Sequence, residues 1–145
     1  MKHVSGFKDA EKLLQQLPQN VENRVLQAAT MAGARVLAKN VKVRAPRSSG
    51  KRSKASLKYR QLFKNIRTVR LKNARKRGQR GARVDTGNAF WGLFPEFGTR
   101  YITARPWFRP AVTEAQDAAL DKLREALARG IDREATKLAK RAGVR

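Results

Sequence analysis

Acid–base catalysis is the one catalytic chemistry for which this chain offers candidate residues. Its 145 residues include a single histidine, His3, and no cysteine, which excludes disulfides, thiolate nucleophiles and cysteine metal ligands. Asp85 and Glu96 could form an acid/base pair, but isolated carboxylates among many cations are usually ion-pair partners. We therefore predict that both carboxylates neutralise nearby arginines or cap strand ends. We also predict that the protein is not an enzyme and uses no cofactor, metal or small-molecule substrate.

Polyanion binding is the second kind of chemistry that the sequence indicates. The chain has 34 Lys and Arg residues against 11 Asp and Glu, a net charge of +23, and no acidic residue at all from Asn23 to Val84. A block of like charge repels itself and favours a polyanionic or acidic partner. We predict such contacts through two basic loops, with a solvated hairpin tip as the alternative for the second loop. The candidate residues are Lys51, Arg52, Lys54, Arg75, Lys76, Arg77, Arg80 and Arg83.

Seven aromatic residues follow the basic block: Phe90, Trp91, Phe94, Phe97, Tyr101, Trp107 and Phe108. They could form a base-stacking surface beside the cations. Aromatic residues at strand spacing next to an amphipathic helix are also what a small core needs, and we predict that most of them are core. Adjacent side chains in an extended segment point to opposite faces, so we expect one of Trp107 and Phe108 to face a neighbouring subunit.

Helices at both ends of the chain must position these residues. Apolar spacing predicts a short helix over 4–17, and a second helix from an N-cap at Asn20 to about Val43, ended by the Ala45-Pro46 pair. Gly33 would let another element approach closely. The predicted apolar side of the second helix comprises Val21, Val25, Ala28, Ala29, Ala32, Val36 and Val43.

A long C-terminal helix is predicted from Pro110 onward. Thr113 and Gln116 have the spacing of a capping box at its start, and Gly130 marks a kink or a break. Its apolar positions are Val112, Ala115, Ala119, Leu120, Leu123, Leu127, Ile131, Leu138 and Ala142.

The middle of the chain predicts a small, mostly antiparallel sheet. Residues 62–71 fit either a bulged strand or a short helix entering a strand, residues 72–83 a basic hairpin tip, and residues 84–97 one or two strands holding much of the core. The fold class is therefore α+β, with 1–145 as one domain: helices over 1–45, a basic loop over 46–61, the sheet over 62–109 and a helix over 110–145. No segment predicts secretion or membrane contact.

Several short motifs, taken in order, resemble those of a family of tail-completion (neck) proteins of long-tailed bacteriophages. Ala45-Pro46-Arg47-Ser48-Ser49-Gly50 is similar to the family's A-P-x-x-[ST]-G, and it is followed by basic strands, by Glu96-Phe97-Gly98-Thr99 and by Ala104-Arg105-Pro106-Trp107-Phe108-Arg109-Pro110-Ala111. The match covers nearly the whole chain. It departs at residues 51–56, which intervene before Leu57 and suggest an enlarged basic loop.

The resemblance implies a structural virion protein that acts in the neck or tail top, in tail completion or head–tail joining. It implies a ring of copies of this chain, contact with neighbouring neck and tail proteins or with packaged DNA, and assembly in the host bacterial cytoplasm. The implied interface motif comprises Glu96, Phe97, Gly98, Thr99, Pro106, Trp107, Phe108, Arg109 and Pro110. The alternative is a basic nucleic-acid-binding architectural protein, indicated by the net charge of +23.

Overall fold

The protein is a mixed α+β structure in which two long helices carry a small two-stranded sheet. The computed structural model describes residues 19–47, 62–71 and 80–141. In chain order these form α1 (Gln19–Arg44), α2 (Leu62–Asn65), β1 (Arg67–Arg70), β2 (Ala82–Asp85), a 3₁₀ turn (Phe90–Gly92), α3 (Leu93–Phe97) and α4 (Phe108–Arg141). This confirms the predicted fold class. The helix predicted over 4–17 lies outside the described residues.

α1 and α4 pack against each other as an antiparallel pair. The start of α1 meets the end of α4 where Arg24 lies 3.3 Å from the Glu134 carboxylate, and the end of α1 meets the start of α4 where Asn40 donates to the carbonyl of Ala111 at 2.8 Å. Ala45-Pro46 follows α1 directly, because the residue before a proline is disfavoured in the α region. Asn20 lies inside the helix, so its prediction as the N-cap is wrong; Glu22 lies in the first turn.

Two glycines allow the helices to approach closely. A Cβ on Gly33 would lie 2.9 Å from the carbonyl oxygen of Ala119, and a Cβ on Gly130 would lie 2.7 Å from a methyl group of Val25. The predicted close approach at Gly33 is therefore confirmed. Of the two alternatives predicted at Gly130, the break is wrong, because α4 continues through this residue, which packs closely against Val25.

The core is a seam of mostly small side chains with one large aromatic ring at its end. Near the start of α1, Val25 and Ala29 pack with Leu127 and Ile131 of α4. At the other end the buried cluster comprises Ala38, Val41, Ala45, Leu62, Ile66, Ala89, Trp107 and Ala111. The predicted apolar side of α1 is partly wrong, because Ala28 is exposed and Val43, beyond the seam, is 67% exposed.

The sheet is a hairpin that lies against α1. β1 and β2 are antiparallel with Arg67 opposite Asp85 and Arg70 opposite Ala82, and the N–H of Leu71 donates to the carbonyl of Gly81 at 3.1 Å. Of the two alternatives for residues 62–71, the short helix entering a strand is the one observed. Residues 72–79 at the predicted hairpin tip lie outside the described residues.

The segment after β2 differs from the prediction. Residues 84–97 do not form further strands beyond Asp85; the chain turns at Gly87 and forms the 3₁₀ turn and α3. The aromatic core expected there is also wrong, since Trp107 is the one buried ring among the seven aromatics and Phe90, Phe94, Phe97 and Tyr101 are exposed. The core instead forms where α1 and α4 meet.

Candidate assembly surface

The E-F-G-T and P-W-F-R-P-A motifs meet at the N-terminus of α4. Glu96 of α3 is only 4% exposed, and its Oε2 accepts hydrogen bonds from the backbone N–H groups of Trp107 at 2.7 Å and Phe108 at 2.8 Å. Its Oε1 accepts from the backbone N–H and the side-chain Nε of Arg109, both at 3.3 Å. One carboxylate thus satisfies three of the amide groups that every helix leaves unpaired in its first turn.

The charge of Glu96 matches this position. Burial disfavours the ionised carboxylate, but the hydrogen bonds from Phe108, Trp107 and Arg109 together hold the pKa of Glu96 below its usual value. The positive end of the helix dipole also favours a negative charge here. Glu96 was predicted as an ion-pair partner or strand-end cap; the ion pair with Arg109 is confirmed, but the end that it caps belongs to a helix.

The structure also contradicts the capping box predicted at Thr113 and Gln116. α4 begins at Phe108, two residues before the predicted start at Pro110, and Thr113 lies inside the helix with its hydroxyl donating to the Arg109 carbonyl at 3.2 Å. The N-terminus of α4 is capped by Glu96, which lies in α3, before the loop that leads into α4. No local spacing rule would have identified it.

Trp107 connects the start of α4 to the core. Its ring is buried in the core cluster, and its indole Nε1 donates to the carbonyl of Gly92 at 3.0 Å. A Cβ on Gly92 would lie 2.8 Å from Leu62, so the 3₁₀ turn sits directly on α2. Phe108 also packs against this cluster, with its ring edge-to-face to Trp107 at 5.6 Å. Trp107 and Phe108, whose side chains we expected to point to opposite faces, therefore both contact the core.

A tight turn joins α3 to α4. Gly98 has φ +75°, and a Cβ there would lie 2.9 Å from the backbone nitrogen of Ala104, so this position requires glycine. Thr99 and Ile102 exchange backbone hydrogen bonds of 2.8 and 3.2 Å, and the N–H of Arg105 donates to the carbonyl of Pro95 at 2.7 Å. These bonds hold the loop close to α3.

The end of α1 fixes the start of α4 from the opposite side. Arg44 forms a salt bridge with Glu114 at 2.7 Å, and the Asn40 amide donates to the same carboxylate at 3.2 Å. The hydrogen bond from Asn40, followed by the contact with Arg44, holds the pKa of Glu114 below its usual value. An open groove of about 660 Å³ lies here, between Arg44, Arg109 and Pro106.

This bracing supports an exposed apolar surface, which we call the aromatic surface. Its members are the large apolar side chains of residues 90–102 that face solvent: Phe90, Leu93, Phe94, Phe97, Tyr101 and Ile102. Phe90 and Phe97 are each 63% exposed, the rings of Phe90 and Phe94 meet edge-to-face at 6.0 Å, and the Arg109 guanidinium lies 5.1 Å from the centre of the Phe97 ring. Sequence reasoning assigned several of these side chains to the core and so missed the surface.

The other candidate residues are only partly described. Arg83 pairs with Asp85 at 3.2 Å, and the Asp85 carboxylate also accepts from the N–H of Gly87 at 2.9 Å, so the predicted pairing of Asp85 with an arginine is confirmed. Arg80 is half-buried beside β2. The remaining predicted polyanion contacts, Lys51, Arg52, Lys54, Arg75, Lys76 and Arg77, lie outside the described residues, as does His3.

Within the described ranges, no group of three or more His, Asp or Glu side chains could hold a metal ion. In the same ranges, no helix has the length and apolar character needed to cross a membrane. The described residues therefore define an α+β protein in which the sequence motifs hold an exposed aromatic surface at the start of α4. No protein-family model matches the chain, and comparisons with curated proteins and with solved structures give no significant match.

Proposed function

We propose that this protein is a structural virion component of a long-tailed bacteriophage, a subunit of a ring at the neck or tail top that acts in tail completion or head–tail joining. The observation that carries the proposal is the aromatic surface. Its exposed apolar side chains stand on the segment that contains the E-F-G-T motif, and this segment is fixed by Glu96, Gly98 and Trp107. A group of large exposed apolar side chains on a fixed backbone segment is typical of a protein–protein contact.

The composition of the surface also supports an assembly role. Interfaces have an apolar, often aromatic centre and a polar rim in which arginine is common. Phe90 and Phe97 supply the apolar groups, while Arg100 lies over the Tyr101 ring at 4.5 Å and Arg109 over the Phe97 ring. Because these guanidinium groups are already placed on the rings, little ordering is required when a partner binds.

In this proposal the protein works by shape and contact and performs no catalysis. Its partners are copies of itself in a ring and the neighbouring neck and tail proteins, with no membrane and no small-molecule substrate involved. It reaches its place in the virion by assembly in the cytoplasm of the host bacterium. The basic loops, Lys51 to Lys58 and Arg75 to Arg83, would contact acidic neighbours or packaged DNA.

Substitution in the aromatic surface tests the assembly role. The double variant Phe90→Ser/Phe97→Ser should fold with wild-type helicity but fail to self-associate in sedimentation experiments over a range of concentrations. The matched control is Val43→Ser/Leu138→Ser, which removes two other exposed apolar side chains, one from α1 and one from the far end of α4. Equal self-association of the two variants would contradict the proposal.

Gene order tests the phage assignment itself. Phage structural genes are laid out in assembly order, so portal and capsid genes on one side and a long helical tape-measure gene on the other would support the neck role. Ribosomal or chromosomal genes in those positions would favour the alternative, a basic nucleic-acid-binding architectural protein. The net charge of +23 is the observation that favours that alternative.

A further inference from the structure

A cationic groove lies between α1 and β1, and none of its lining residues belongs to the aromatic surface. It has a volume of about 370 Å³. Four basic side chains line it, together with Thr68 and the buried residues Ala38 and Ile66; the four are Arg35, Lys39, Lys42 and Arg67. We call these four side chains and their lining residues the α1–β1 groove.

The charges of the α1–β1 groove are not neutralised within the protein's described parts. All four basic side chains are exposed, and within residues 19–47, 62–71 and 80–141 none of them forms a salt bridge. Asp85 stands opposite Arg67 across the hairpin, but its carboxylate is bound by Arg83 and by the N–H of Gly87. Four like charges held around one depression favour binding of a polyanion.

The spacing of the cations fits a phosphate backbone. Arg35, Lys39 and Lys42 lie at positions i, i+4 and i+7 of α1, which places them on one face. They span about 10 Å of helix axis at 1.5 Å per residue. Four successive phosphates of one DNA strand span about the same length of the duplex axis, because they are separated by three steps of roughly 3.4 Å. Arg67 adds a fourth cation from the sheet side of the groove.

The groove lacks the features that an acidic protein segment would need. Peptide grooves obtain specificity from pockets for individual side chains. Here the apolar lining residues, Ala38 and Ile66, are buried in the core cluster, so the accessible walls consist of cationic groups and the Thr68 side chain. A surface of this kind provides charge without side-chain recognition. We infer that the α1–β1 groove binds the phosphate backbone of duplex DNA without sequence preference.

The salt dependence of binding gives the expected size of the effect. Each phosphate neutralised on duplex DNA adds about 0.9 to the slope of log K against log salt, so four contacts contribute about 3.6. Between about 50 and 200 mM salt this corresponds to a roughly 150-fold loss of affinity. The sequence of the basic loops is the same in every variant compared here, so their contribution to binding cancels in the comparison. The difference between two such variants therefore measures the groove.

The test uses the full chain and a labelled random-sequence duplex in a fluorescence anisotropy salt series. The groove variant is Arg35→Gln/Lys39→Gln/Lys42→Gln/Arg67→Gln. The control variant removes four exposed cations of α4 and is Lys122→Gln/Arg124→Gln/Arg129→Gln/Lys137→Gln. Each variant has a formal net charge of 23 − 4 = +19. The slope of log K against log salt should decrease in magnitude by about 3 to 4 in the groove variant and by less than about 1 in the control variant.

Two further variants address folding and charge. Lys39→Gln/Lys42→Gln alters only exposed side chains of one helix, and it should decrease the magnitude of the salt slope by about 2. Arg35→Lys/Arg67→Lys keeps the charge and should keep the salt slope of the wild type. Equal losses in the groove and control variants would overturn the inference, because overall charge would then explain the binding. Unchanged duplex binding combined with lost binding to poly-glutamate would overturn it in favour of an acidic protein partner. None of these outcomes depends on the proposed role in the neck.

Discussion

Removal of the Glu96 carboxylate should loosen the start of α4 and the aromatic surface together. We compare Glu96→Ala, which deletes the acceptor, with Glu96→Gln, which keeps its shape and one oxygen but loses the charge. In the wild type this carboxylate, 4% exposed, accepts bonds from the N–H groups of Trp107, Phe108 and Arg109 and from the Arg109 side chain. Neither variant changes the apolar packing of the helix pair itself.

The magnitude follows from the number of donors released. Loss of a single helix N-cap costs about 1 kcal/mol, and a hydrogen bond to a charged group is worth about 1.5–3 kcal/mol. Trp107 is buried and its N–H cannot be fully hydrated, whereas Arg109 is exposed and regains water. We therefore expect Glu96→Ala to cost about 3–4 kcal/mol and Glu96→Gln about 2 kcal/mol. For a domain of this size the alanine variant should lose roughly 10–15 °C in Tm.

The same carboxylate predicts a pH dependence. The pKa of Glu96 lies below its ordinary value of 4.5 in the folded protein, so the unfolded chain takes up a proton here at a higher pH than the folded protein does. The stabilisation by ionised Glu96 is therefore complete above about pH 4.5 and is lost as the pH falls through the folded pKa. The stability curves of wild type and Glu96→Gln should converge as the pH falls through this window.

Thermal unfolding followed by circular dichroism, in buffers from neutral pH down to acid, measures both effects. The control is Glu125→Gln, which removes an exposed carboxylate of α4 that pairs with Lys122 and Arg129. Its Tm at neutral pH should stay close to that of the wild type, because exposed ion pairs contribute little. A neutral-pH Tm of Glu96→Gln equal to that of Glu125→Gln would refute the assignment of Glu96 as the cap of α4.

Two more substitutions test the packing directly. Gly33→Ala should lower the Tm, because its Cβ would lie 2.9 Å from the Ala119 carbonyl oxygen and force the helices apart. An increase in the free energy of unfolding by about 1 kcal/mol, which is usual for Gly→Ala in a helix, would contradict the close approach. Trp107→Phe should cost about 2–3 kcal/mol in urea unfolding followed by the fluorescence of Trp91, because the Gly92 carbonyl loses its partner and the smaller ring leaves a void; an unchanged midpoint would show that the Gly92 contact does not stabilise the fold.

The helices could be predicted from sequence because their signals are local and repeated. α1 ends at Arg44, directly before the Ala45-Pro46 pair and one residue beyond the predicted Val43, and the close approach predicted at Gly33 is observed. The exposure of Ala28 and Val43 could not be predicted, because an alanine-rich helix has several faces that would suit a partner. The position of α4 decides which of them is buried.

The strands predicted within residues 84–97 are wrong beyond Asp85 for a different physical reason. Apolar residues at 90–97 fit a strand as well as they fit two short helical turns, since runs this short carry no clear period. Their exposure depends on what covers them, which is a property of the whole fold. The cap at Glu96 had no local signal either, because the carboxylate lies 12 residues before Phe108 and acts across a turn.

The two proposed surfaces share one core cluster, and this predicts which changes affect both. Ala38 and Ile66 line the α1–β1 groove and also pack in the cluster that holds Trp107, so Trp107→Phe should disturb DNA binding and self-association together. Glu96 lies in α3 and does not line the α1–β1 groove; it binds the backbone N–H groups of Trp107 and Phe108 at the start of α4. Glu96→Gln, at a temperature where it is still folded, should therefore weaken self-association while the salt slope of DNA binding stays unchanged. Parallel losses in both assays would instead mean that the hairpin, the groove and the aromatic segment move as one unit.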